Sequence, residues 1–132
     1  MGKIESESNM ARKGSDSAPH PVEAKTGGSY PAAGCFTQGW ATQLVVSALE
    51  EAVEKGWIQD EDVTYEALVG FLGGRGRRFY NIQSLIKENN EKRIVLERKG
   101  ERIPESIKSK DGSIEVVPFR RGEEIWSLRW KH

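Results

Sequence analysis

From Gln38 to Lys55 the apolar residues recur at helical spacing. Ala41, Leu44, Val45, Ala48, Leu49, Ala52 and Val53 follow an i, i+3, i+4, i+7, i+8 rhythm, which gathers them on one face of an amphipathic helix. The rhythm predicts a helix over 38–55, with Glu51 and Lys55 as an i,i+4 ion pair and Gly56 as its stop. A second helix is predicted over 65–73. Thr64 supplies an N-cap hydroxyl, and Val63 and Leu68 are spaced for a hydrophobic staple. Gly73 and Gly74 interrupt that helix, and Arg75–Tyr80 forms a further turn.

The period then changes from helical to alternating. Residues 93–98 set Ile94 and Leu96 against Val95 and Glu97, and a second short strand over 113–117 ends at Pro118. Residues 125–131 put Trp126, Leu128 and Trp130 on one face, with Ser127, Arg129 and Lys131 on the other. A period of two marks a half-buried antiparallel strand, and the tryptophan stripe is expected in a core or a subunit contact. Residues 1–13 are polar and predicted to be a disordered leader. Residues 14–36, rich in Gly, Pro and Ser, are predicted to be loop. The fold class is therefore α+β: two or three helices beside a small antiparallel sheet, with a disordered N-terminus.

Composition narrows the function classes. The chain has 132 residues, enough for one domain with a core. Its 20 basic and 20 acidic residues cancel, so no net field recruits nucleic acid or an anionic membrane. The basic tract Gly73–Arg78 is short, and nucleic-acid binding needs a wider basic footprint. The same glycines lack the Lys-Ser/Thr of a phosphate loop. The single cysteine, Cys35, excludes an intrachain disulfide and suits a reducing, cytoplasmic setting. It is expected to be a small buried or turn residue. No apolar run approaches the roughly 18 residues of a membrane span.

The candidate chemistry lies in Gly14-Ser15-Asp16-Ser17-Ala18-Pro19-His20-Pro21. Pro19 holds its own φ and pushes Ala18 toward extended geometry, so the segment should be a rigid loop aiming Asp16 and His20. A carboxylate can ligate a metal or move a proton, and an imidazole can ligate, donate a hydrogen bond or titrate near neutrality. Asp and Ser beside Pro are also ordinary turn residues.

Four blocks in order resemble the compact single-function dihydroorotases of bacteria and fungi. They are residues 14–21, Ala32-Ala33-Gly34-Cys35-Phe36, Gly76-Arg77-Arg78-Phe79-Tyr80, and Val116 to Ser127 through Pro118-Phe119-Arg120-Arg121-Gly122. The resemblance runs over residues 14–132 but covers only the last third of a family member. It implies the C-terminal fragment of a (β/α)8 barrel, with the active site at the C-terminal ends of the strands. It implies a zinc-dependent cyclic amidohydrolase of pyrimidine biosynthesis that interconverts N-carbamoyl-aspartate and dihydroorotate. By the same resemblance, Asp16 binds a zinc and exchanges a proton with the bridging hydroxide, and His20 contacts the substrate carboxylate. Ala18 lies against the substrate, and Ala33 offers backbone hydrogen bonds to the pyrimidine ring. The partners implied are a small-molecule substrate and, at most, a second copy of the chain as a homodimer.

The sequence departs from that pattern in two respects. The family's His-x-His pair, carboxylated lysine and two further histidines have no counterpart. The only histidines are His20 and His132, so Asp16, His20, His132 and Cys35 are the donors on offer. The family does not use its equivalent of His20 as a ligand. The residues before Gly14 are polar where the family has an apolar strand. These departures lead to the expectation of a truncated product, inactive by itself. Its long helix and tryptophan strand would lack their usual cover, which makes a non-catalytic interaction module the alternative reading.

Overall fold

In the computed structural model, which describes residues 13–85 and 93–131, the first element is a short helix α1 (Val22–Thr26). It falls within the stretch expected to be loop. Pro21, at φ −54°, precedes it with helix-compatible φ, and the Thr26 hydroxyl donates to the Val22 carbonyl at 2.9 Å. A 3-10 turn over Gln38–Trp40 then leads into α2 (Ala41–Glu54), as the apolar rhythm predicts. Lys55 and Glu51 form the expected exposed pair at 3.8 Å, and Gly56 ends the helix at φ 69°.

Thr64 caps the next helix, its Oγ1 accepting the Ala67 N–H at 3.1 Å. Beyond the cap the expectation needs correction. Gly73 and Gly74 do not interrupt the helix. Instead α3 (Tyr65–Val69) continues through a π turn over Gly70–Gly74 into α4 (Arg75–Phe79). Glycine permits the wider turn because arginine side chains fold back over it: a Cβ on Gly73 would meet the Arg77 guanidinium at 2.8 Å, and Arg77 Nε donates to the Gly73 carbonyl at 3.3 Å.

Four strands follow, one more than the alternation predicts. β1 (Arg93–Glu97) pairs with β4 (Ser127–Lys131), and β2 (Ile107–Lys108) pairs with β3 (Glu115–Val116). The second pair is antiparallel, with Ile107 opposite Val116 and Lys108 opposite Glu115. Its turn is built by Asp111, whose carboxylate accepts from the hydroxyls of Ser109 and Ser113 at 2.6 and 2.9 Å, while Gly112 takes φ 73°. β2 escaped the sequence reading because a two-residue strand has no period. The tryptophan stripe is core only in part: Trp126 and Leu128 are half-buried, with the Arg98 guanidinium 4.4 Å over the Trp126 ring, but Trp130 is exposed.

The chain divides into two compact units. One comprises Ser15–Ala48 and Ile94–Lys131, and the other includes the described residues of 49–93 with Lys13 and Gly14. In the first unit Ile103 and Ile125 are buried, at 1% and 4% exposure. Their backbones are laced to the neighbouring turn: Ile103 N–H donates to Glu123 O at 3.0 Å, Gly122 N–H to Ile103 O at 2.8 Å, and Ile125 N–H to Glu101 O at 2.9 Å. In the second unit Lys13 N–H donates to the Phe71 carbonyl at 3.1 Å. Of the leader expected over 1–13, all but Lys13 lies outside the described residues. No helix among the described residues is long and apolar enough to cross a membrane.

Candidate functional site

The residues before α1 form no regular element, so their polar backbone must be satisfied by neighbours. Residues 32–38 supply them. Ala18 N–H donates to Cys35 O at 2.9 Å. Ser17 Oγ accepts the N–H groups of Thr37 and Gln38, each at 3.1 Å. Thr37 Oγ1 donates in turn to Ser15 O at 3.0 Å. The two segments approach too closely for a side chain at one point. Gly34 sits at φ 119°, and a Cβ there would lie 2.5 Å from the Ala18 Cβ and 2.9 Å from its carbonyl oxygen. Only glycine fits both the angle and the space.

The C-terminal segment joins this loop pair. Pro21 bridges to Val116 and Phe36 to Pro118, and Phe119 N–H donates to Phe36 O at 2.9 Å. Phe36 also packs edge-on against Trp40, with ring centroids 6.0 Å apart. Three of the four blocks singled out in the sequence thus meet in one unit, and Gly76–Tyr80 lies in the other. The C-terminal block is scaffold: it touches the loops through backbone.

Asp16 is exposed and held at φ 43°, the left-handed region that Asp tolerates better than most residues. His20 is half-buried immediately before Pro21. Ala18 is half-buried with its N–H already committed to Cys35, which leaves its methyl as the group it can offer. Cys35 is exposed and free, not buried; what it contributes is its carbonyl. Ala33 is exposed and lies between two anchored neighbours. Ala32 N–H donates to Ala24 O at 2.8 Å, and Lys25 Nζ donates to the Ala32 carbonyl at 3.4 Å and also to that of Gly34. Ala33 is exposed, and its own N–H and C=O carry no hydrogen bond among the described residues, on a frame braced at both neighbours.

The sequence reading did not single out Ser17, Lys25 or Thr37, which build that frame. Thr37 had a readable signal, a hydroxyl residue at the head of a helical run. Lys25 had none, because its partners are backbone carbonyls seven and nine residues on.

A catalytic zinc takes about three protein ligands. Among the described residues no three of His, Cys, Asp and Glu converge, and His132 lies outside them. Asp16 offers a carboxylate, but the described donors do not by themselves make a zinc site.

No family model matches the chain. Among curated proteins it is 32% identical over 119 residues to the dihydroorotase of Saccharomyces cerevisiae, covering 89% of this chain and 29% of that protein. It is 35% identical over 119 residues to a probable dihydroorotase of Schizosaccharomyces pombe, covering 89% and 30%. Among solved structures, Saccharomyces cerevisiae dihydroorotase in complex with 5-fluoroorotic acid matches at a TM-score of 0.69 and 31% identity, over 91% of this chain and 30% of that one. Campylobacter jejuni dihydroorotase matches at a TM-score of 0.62 and 26% identity, over 94% and 30%. The chain therefore spans about 30% of the length of the relatives it matches. Sequence and backbone agree that this chain is related to the dihydroorotases and corresponds to their C-terminal third.

Proposed function

We propose that this chain carries the substrate-binding and proton-transfer wall of a dihydroorotase-like site, of the reaction that interconverts N-carbamoyl-L-aspartate and dihydroorotate in cytoplasmic pyrimidine synthesis. The observation that carries this reading is the free peptide of Ala33, exposed between two braced neighbours. A cyclic amide presents a C=O and an N–H along one edge, and an unpaired backbone N–H and C=O are the complementary groups. The Ala18 methyl, one residue across the Gly34 contact, gives the ring an apolar surface. His20 donates to the substrate carboxylate. The Asp16 carboxylate accepts and returns the proton of the attacking water.

Zinc is the cofactor this family reading implies, with Asp16 as the one donor assigned to it here. The described donors do not fit a complete site, so no step through the metal is assigned to this chain. It follows that the chain by itself binds the ring without turning it over, and that catalysis requires the remaining two-thirds of the fold.

The test is a titration of the purified 15N-labelled chain with 5-fluoroorotate. The expected result is saturable amide shifts at Asp16, Ala18, His20 and Ala33. Shifts that are absent, or confined to the arginines of α4, would overturn the reading. Turnover of carbamoyl-aspartate by the chain with added zinc, abolished by Asp16→Ala, would overturn the inactivity.

A further inference from the structure

Asp16 is one of three described non-glycine residues with positive φ. Both of its chain neighbours are tied to the same residue. On one side the Ser15 carbonyl accepts the Thr37 hydroxyl at 3.0 Å; on the other the Ser17 hydroxyl accepts the Thr37 N–H at 3.1 Å. The chain must pass from one anchor to the next within a single residue, and a left-handed turn at Asp16 accomplishes it. That turn sets where the carboxylate leaves the backbone. A non-glycine residue held there persists only where its surroundings over-determine it, a pattern that concentrates at functional sites.

We propose that Thr37 is the positioning residue of the Asp16 carboxylate, acting through a two-sided clasp on Ser15 and Ser17. Its backbone N–H and its side-chain hydroxyl both serve the clasp, and the hydroxyl makes no capping bond to the helix that follows. Serine retains both groups, whereas valine keeps the shape and loses the donor to Ser15. The proposal rests on the preceding reading only for its functional consequence, because the geometry of the clasp is a property of the chain alone.

The experiment compares Thr37→Val and Thr37→Ser in the full chain. Wild type is expected to show the strong intra-residue amide–Hα cross-peak that positive φ gives Asp16. Thr37→Val abolishes it and speeds amide exchange at Ala18 about five-fold, the loss of one ordinary hydrogen bond. Thr37→Ser restores both. The 5-fluoroorotate shift at Ala18 weakens in the valine variant and returns in the serine variant. Should the valine variant fail to fold, Ser17→Ala removes the clasp from its other side and carries the same expectation. Retention of the Asp16 cross-peak in folded Thr37→Val or Ser17→Ala overturns the proposal. Wild-type chain that shows the cross-peak but no fluoroorotate shift overturns the binding function and leaves the clasp standing.

Discussion

The two units of this chain solve the same problem by opposite means. Every side chain that is buried among the described residues, Ala41, Gln43, Ile103, Pro118 and Ile125, belongs to the loop-and-strand unit. That unit is held by hydrogen bonds between residues far apart in sequence, such as Ser17 to Thr37 and Ile103 to Glu123. The helical unit over 49–93 has none of its described side chains buried. Trp57, Tyr65, Phe79, Tyr80 and Leu85 are all exposed, and its bonds are mostly those a helix makes with itself. Helices of this length draw most of their stability from packing of an apolar face, and here Leu68, Phe71 and Leu72 are only half-buried. The difference teaches where the chain is self-sufficient. The loops proposed to touch the substrate are braced within their own unit, whereas the helical unit buries none of its described side chains fully.

The sharpest way to break this comparison is Ile103→Ala. Ile103 is 1% exposed, and deleting most of a buried isoleucine costs about 3 kcal/mol. Amide exchange should rise at Ile103, Gly122 and Ile125, and with them at Ala18 and Phe119, while the amides of 65–79 hold their wild-type rates. If the helical amides lose protection in step, the two units unfold as one body and the contrast drawn here fails.

The same contrast marks what could be read from sequence. The helical unit was legible because its signals are local. The spacing of Leu49, Ala52 and Val53 and the hydroxyl of Thr64 lie within a turn or two of the bonds they predict. The error there was also local: Gly73 and Gly74 have the residue type of a break, yet the arginines that follow lie over the glycines and the helix widens without ending. In the other unit sequence located the parts and missed their assembly. Asp16 and His20 stood out by their local chemistry and Ala18 and Ala33 by resemblance, but the bonds of the frame around them run from Thr37 to Ser15 and Ser17 and from Lys25 to Ala32 and Gly34, over separations of up to 22 residues. No period or propensity records a contact of that kind. The strands show the same limit: β1 and β4 alternate and were anticipated, whereas β2 is defined only by the partner that Asp111 and Gly112 turn toward it.

A smaller perturbation sharpens the comparison from the helical side. Thr64→Ala removes the acceptor for the Ala67 N–H and should cost about 1 kcal/mol of helix stability. Because the unit is held locally, the loss should stay local: faster exchange at Ala67 and Leu68, with no change at Ile103 or Ala18. Faster exchange at Ile103 or Ala18 would show that the loss does not stay local.

The smallest effect expected is electrostatic, and it tests whether even the exposed edge of the strand unit is held by distant pairs. Glu97 on β1 accepts from Arg129 Nε on β4 at 3.1 Å, and Lys99 Nζ lies 2.9 Å from the same carboxylate. These bonds, Arg129 first and Lys99 second, pull its pKa down from 4.5 to about 2. A carboxylate whose pKa is lowered on folding stabilises the folded state above its ordinary pKa. That contribution is lost as pH falls through the folded value, so the window here runs from about 4.5 down to about 2. Amide exchange across β1 and β4 should therefore accelerate over that interval. Asp111 is also depressed to about 2, by the Ser109 and Ser113 hydroxyls, so acid loosens the β2–β3 turn over a similar range. Glu97→Gln separates the two. It should flatten the pH dependence at β1 and β4 and leave that of the turn intact. A Glu97→Gln profile identical to wild type at β1 and β4 would mean that backbone pairing alone holds these strands and that the ion pair, exposed and screened by solvent, contributes nothing.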